Sequence, residues 1–185
     1  AWLVYRPEDG PQLLGELLRA PSADLVARAV QLAGEFNVRV EIQPAQEDNL
    51  TTQLNEADPM QAALLGRLIA ERGTPRLLKK MLTEINSSSW EKSRQLILAL
   101  EGHSSEEVIE TLGKQLEREN AATAALILAR SGRCRAEFKN LLDKASGEAK
   151  LEIIEALALC GDKSILSHLE AYLFDSEPDT RIKAL

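Results

Sequence analysis

The residues of this chain able to do covalent or metal chemistry are few: two histidines, His103 and His168, and two cysteines, Cys134 and Cys160. A thiol nucleophile needs a base within hydrogen-bond reach, so Cys134 with His103 or His168 is the pairing the sequence offers. Metal ligation needs donors clustered at helical or loop spacing, and neither histidine sits in an H-E or H-x-x-x-H pattern. No Gly-rich phosphate loop is present. The simpler reading is of unrelated surface and hairpin-tip residues. No catalytic, cofactor-binding or metal-binding residue is therefore assigned, and the chain is expected not to be an enzyme. Two cysteines make no disulfide framework. They read as buried or half-buried thiols, although both fall near tips of neighbouring hairpins, where a bridge is geometrically conceivable.

Composition narrows the partners. The chain of 185 residues carries a net charge of −7, and a nucleic-acid binder usually needs a basic face, so no nucleic acid is expected. Only 4% of residues are aromatic while Leu and Ala dominate, which favours helices over a β-sandwich. No run reaches the roughly 18 apolar residues of a membrane span. Cysteines that look free point to a cytoplasmic setting. The alternative is an envelope location, with residues 1–5 trailing a membrane anchor. The chain begins without Met and stops at Ile182-Lys183-Ala184-Leu185 inside an apparent helix, so it reads as an excerpt of a longer protein.

A repeat supplies the elements that would position any site. Leu68-Ile69-Ala70-Glu71-Arg72-Gly73 resembles Ile97-Leu98-Ala99-Leu100-Glu101-Gly102. Both resemble Ile127-Leu128-Ala129-Arg130-Ser131-Gly132 and Ala156-Leu157-Ala158-Leu159-Cys160-Gly161. The glycines at 73, 102, 132 and 161 are 29, 30 and 29 residues apart. Paired apolar residues face the core, Ala admits a neighbouring helix, and Gly takes a left-handed cap where a Cβ is costly. A return helix follows each turn. Its stripe is Leu77, Leu78, Met81, Leu82 and Ile85 in one copy and Val108, Ile109, Leu112 and Leu116 in the next.

Helix starts agree with this period. Asp58-Pro59-Met60-Gln61 offers an N-cap, a first-turn Pro and a capping-box Gln. Thr74-Pro75 offers a cap for the return helix, and Ser88-Ser89-Trp90-Glu91 and Ser104-Ser105-Glu106-Glu107 look like capping boxes. Ser176-Glu177-Pro178-Asp179 opens a last helix. Toward the N-terminus, return helices are expected over Gln12–Arg19 and near Gln46–Asn55, with a forward helix ending at Phe36. Asn37 stands in for the capping Gly. Residues 38–43 alternate like a strand, and Pro44 should stop a helix.

Repeats near 30 residues with a helix–Gly turn–helix unit resemble the HEAT-like repeats first named from phycobilisome lyases. The resemblance covers nearly the whole chain and implies an all-α fold, an α-solenoid of stacked antiparallel helical hairpins. A single array over 1–185 is then expected. Its approximate repeats are 1–21 (partial), 22–56 with an extended insertion at 38–43, 57–87, 88–118, 119–146, 147–175 and 176–185 (partial). The Asp and Arg ladder of classical HEAT units is absent. Di-iron hydroxylases, bilin lyases and DNA glycosylases are also built on such repeats. Their His-Glu pairs, bilin sites and basic aromatic faces are missing here, so the repeat implies fold and not activity.

The function expected is therefore a scaffold or adaptor domain binding another protein or another domain of its own longer chain. The alternative is a lyase-like or hydroxylase-like enzyme module. Return helices form the concave face of a solenoid. Their aligned core positions are Leu17, Met81, Leu112, Leu141 and Leu169. One position earlier lie Glu16, Lys80, Thr111, Asn140 and His168, a candidate interaction ridge of mixed charge without aromatic anchors. Trp90 reads as a packing residue over the preceding hairpin rather than a surface anchor. An array that continues past Leu185 would leave Ile182 and Leu185 partly uncovered, so self-association through that end is expected.

Overall fold

The computed structural model of the chain describes residues 9–36, 38, 41–174 and 181, and these form helices and connecting turns, with no strand among the described residues. Two units form, Ala1–Leu100 and Glu101–Leu185, and the boundary falls inside the expected repeat 88–118. The first unit holds α1 (Gly10–Leu17), α2 (Ala23–Glu35), α3 (Pro44–Glu56), α4 (Pro59–Arg72), α5 (Pro75–Ser87) and α6 (Trp90–Ala99). The second holds α7 (Glu106–Gln115), α8 (Ala121–Arg130), α9 (Glu137–Leu142), α10 (Gly147–Leu159), a 3-10 turn (Lys163–Ile165) and α11 (Leu166–Leu173).

Most helix starts follow the caps in the sequence. Asp58 Oδ1 accepts from the Gln61 N–H at 2.8 Å, and the Asp58 N–H donates to Gln61 Oε1 at 3.0 Å, closing the capping box of α4. Thr74 Oγ1 accepts from the Leu77 N–H at 3.3 Å and caps α5. Ser89, not Ser88, caps α6 through the Lys92 N–H, so the expected box of Ser88 with Glu91 does not form. Ser105 precedes α7 without a side-chain cap bond. Pro44 starts a helix instead of stopping one. At the first helical position its missing N–H is one of the unpaired donors anyway. In the 38–43 insertion, Val38 and Glu41–Gln43 lie outside any helix, and residues 39 and 40 lie outside the described residues.

Three of the four anchoring glycines carry the left-handed cap: Gly102, Gly132 and Gly161 at φ 84°, 71° and 74°. Gly73 does not, with φ −68° and ψ 152°. Only Gly73 and Thr74 separate α4 from α5, and Thr74, as the residue before Pro75, is held extended. The glycine is needed there for space, because a Cβ would run into the Ile69 carbonyl oxygen, which accepts the Gly73 N–H at 2.7 Å. Asn37, the expected sixth anchor, lies outside the described residues, as do Ser176, Pro178, Ile182 and Leu185.

Within the first unit, α2 packs on α4 and α4 on α6, while α3 and α5 pack on each other and on their hairpin neighbours. A Cβ on Gly66 of α4 would lie 2.9 Å from Leu96 Cδ2 and 3.1 Å from Ala99 Cβ of α6, so the two helices cross at a glycine. The end of α1 and the turn after it are held to α3 by amide donors spaced along α3. Gln46 donates to the Gly15 carbonyl, Asn49 to those of Leu18 and Ala20, and Gln53 to that of Pro21. These bonds occupy carbonyls that the end of α1 leaves without helical partners. The buried Glu47 fastens α5 to α3: Thr74 Oγ1 donates to its Oε1 at 2.6 Å and Arg76 Nη1 to its Oε2 at 3.4 Å.

In the second unit α8 packs on α10, α7 pairs with α8, and α9 touches both α8 and α10. Residues 122–129 of α8 are buried throughout, which makes it the central helix of that unit. Arg130 at its end reaches two neighbours, Glu101 at 2.8 Å and Glu155 at 2.7 Å. Ala70 and Ala129 of the repeated motif are buried as expected, but Ala158 is exposed on α10 beside the exposed Leu159.

Candidate protein-binding edge

The predicted ridge is not a single exposed row. Glu16, Lys80 and Asn140 are exposed and His168 is half-buried, but Thr111 is buried. The alignment slips in the short helices. The buried pairs are Leu14 and Leu18 at α1 and Phe138 and Leu142 on α9, so Leu17 and Leu141 are only half-buried. In a six-residue helix such as α9, hydrophobic spacing alone cannot choose between adjacent registers.

A different surface presents large apolar side chains. Leu25, Met60 and Trp90 stand in the first turns of α2, α4 and α6 and are 51%, 78% and 53% exposed. Two contacts put these helix starts side by side. Gln61 Nε2 of α4 donates to Asp24 Oδ1 of α2. Lys92, third in α6, donates from Nζ to the Asn55 carbonyl just ahead of α4 at 2.9 Å, and Gly66 in mid-α4 lies against Leu96 and Ala99, so both helices run the same way in near register. With neighbouring helix axes roughly 8–10 Å apart, two steps along these helix starts amount to roughly 16–20 Å. Trp90, expected to pack over the preceding hairpin, keeps about half of its surface exposed. It falls seven residues before the buried Ile97, so periodicity assigns it to the core face, but as the first residue of its helix it overhangs the packed layer.

The row has an acidic rim. Asp24, Asp58 and Glu91 are exposed at these helix starts and Glu56 is exposed at the end of α3 just before α4, and none is paired with a cation among the described residues. Asp24, Asp58 and Glu91 sit where a helix N-terminus favours negative charge, which accounts for their presence but not for the apolar residues beside them. The cation of these turns, Lys92, is buried. Its Nζ meets Glu84 Oε1 at 2.7 Å and the Asn55 carbonyl at 2.9 Å. Arg19, at the preceding hairpin turn, reaches back to Gln43 Oε1 at 3.0 Å.

In the second unit the two cysteines are not free thiols: Cys134 and Cys160 form a disulfide, with Cys134 exposed. Their sequence separation of 26 residues matches no framework spacing, and only the fold brings the two turns together. Neither sulfur is available as a nucleophile in this state, so the Cys134–histidine pairing falls away. Nearby, the Lys139 ammonium, the Ser164 hydroxyl and the Ser164 N–H donate to Asp162 and hold its carboxyl at about 2. A groove in this unit, lined by Glu110, Gly113, Lys114, Glu117, Arg118 and Arg135, brings the Arg135 guanidinium over Gly113.

Among the described residues no helix is long and apolar enough to cross a membrane. The chain matches no protein-family model, no curated protein and no solved structure.

Proposed function

We propose that this chain is a protein-binding scaffold of HEAT-like repeats, an α-solenoid that holds a partner along the edge formed by Leu25, Met60 and Trp90. The observation that carries the reading is the exposure of these three large apolar side chains in one row at aligned helix starts. Trp and Met are enriched where interfaces bury energy, and single exposed apolar residues need no explanation while an aligned set does. The repeat spacing and the packing of successive forward helices support the solenoid. The disulfide favours an oxidising compartment, the envelope alternative, over the cytoplasm, because such bonds persist where thiols are not kept reduced.

A photo-crosslinking residue at Met60, compared with one at the exposed Lys79, tests this in the native host. A discrete partner captured at position 60, absent at 79 and lost on Trp90→Ser, is expected. Equal adducts at both positions, or none at 60, would overturn the reading. Stoichiometric iron or zinc in the purified chain would turn it toward a hydroxylase-like enzyme module.

A further inference from the structure

Resting on the protein-binding reading, we propose that the edge receives a basic amphipathic helix of the partner. Its apolar side chains would cover Leu25, Met60 and Trp90, and its Lys or Arg residues would face Asp24, Glu56, Asp58 and Glu91. The sign of the rim selects this occupant, and the usual spacing of packed helices accommodates it.

The usual spacing of packed helices suits a helix laid along the row better than an extended strand. A step near 10 Å, the upper end of the usual interhelical spacing, corresponds to about seven residues of an α-helix at ~1.5 Å rise each. Apolar residues near i, i+7 and i+14 share one face of such a helix. In a strand the same step is about three residues at ~3.3 Å, and an odd step turns every second anchor to the opposite face. Fourteen helical residues span roughly 20 Å, close to two such steps.

The sign selects a basic partner. Four carboxylates without a cationic partner among the described residues rim the row, while Lys92 is turned inward to Glu84 and Arg19 toward Gln43. Anionic lipid and nucleic acid carry the wrong charge for this rim. A cationic helix neutralises it and meets apolar surface between the charges.

The test uses the full chain carrying Trp2→Phe, which leaves Trp90 as its one tryptophan. Three synthetic 21-residue peptides serve as probes: Leu at heptad-spaced positions with Lys elsewhere, the same with Glu elsewhere, and a scrambled form of the Lys peptide. The Lys heptad peptide should bind, shift Trp90 emission to shorter wavelength, and weaken as salt rises. Met60→Ser and the pair Glu56→Gln with Glu91→Gln should each weaken binding at least tenfold. All three side chains are exposed, so these variants should keep the parent circular dichroism. Equal binding of the scrambled peptide, or binding indifferent to Met60→Ser, overturns the proposal. Preference for the Glu peptide in a Met60-dependent manner overturns the basic partner and leaves the protein-binding edge standing. Crosslinking at position 60 without Met60-dependent binding of any of the three peptides likewise sinks this inference alone.

Discussion

Cys134, two residues past the Gly132 turn, is bonded to Cys160, the C-cap of α10, with Cα atoms 5.6 Å apart. The bridge closes a loop holding all of α9 and ties its entry to the far end of the neighbouring forward helix. A closed loop of this length removes denatured-state entropy worth roughly 3–4 kcal/mol on the chain-entropy account. Reductant, or Cys134→Ser, should lower the urea midpoint of the second unit by a matching amount. The native protein should show no titratable thiol until it is unfolded and reduced. Two thiols reacting in the untreated protein would remove the bridge from the account.

Two glycines should respond in opposite directions. Gly66→Val forces a side chain to within the 2.9 Å and 3.1 Å approaches of Leu96 and Ala99 and should cost about 1–3 kcal/mol through overpacking. Gly34 lies near the end of α2 with nothing within 4 Å of its Cβ position, so Gly34→Ala should stabilise by up to ~1 kcal/mol. Thermal midpoints of the two variants are the readout, and a shift of the same sign for both would contradict the α4–α6 crossing.

Leu128 and Leu157 occupy the same place in successive repeats and are both buried on packed helices, α8 and α10. Leu128→Ala and Leu157→Ala should each cost about 2–5 kcal/mol. Gly161 holds φ 74° at the end of α10, so Gly161→Val should cost roughly 1–2 kcal/mol from the lost left-handed cap. Denaturant titration reads all three, and unmoved midpoints would contradict the repeat alignment.

The Asp162 carboxyl should titrate near 2, below its ordinary 3.8, because Lys139 and Ser164 donate to its charged form. A group whose pKa is depressed on folding contributes stability that is fully present above its unfolded value. That contribution should fade as pH falls from about 4 through 2. Carboxyl carbon shifts followed by NMR should show the low midpoint, and Lys139→Ala should raise it toward the ordinary range. An unmoved midpoint in Lys139→Ala would show that the ion pair does not set it.

Much of the local structure is legible without the fold. Asp58, Thr74 and Ser89 mark helix starts because each side chain serves N–H groups two or three residues away. Gly102, Gly132 and Gly161 mark helix ends because glycine tolerates positive φ at little cost. Of the stripe Leu77, Leu78, Met81, Leu82 and Ile85, all but the half-buried Leu78 are buried as the spacing implies. Such signals act within one or two helical turns. They weaken where an element is short, which is why α1 and α9 slip by one position and Thr111 turns inward. At Gly73 a two-residue link leaves no room for the cap that its neighbours in the repeat adopt.

The sequence by itself determined the helical class, the period near 30 residues, and most helix boundaries, since these depend on caps and on the 3.6-residue turn. Tertiary structure decided the rest. Whether Trp90 and Met60 are covered depends on where the adjacent helix begins, and no periodicity within one helix encodes that offset. Whether Cys134 meets Cys160 depends on how the Gly132 and Gly161 turns sit side by side. Whether Lys92 is a surface charge or a buried partner of Glu84 depends on the crossing of α5 and α6. Burial and pairing belong to the arrangement of helices, so the acidic, apolar edge emerges only when α2, α4 and α6 lie in register.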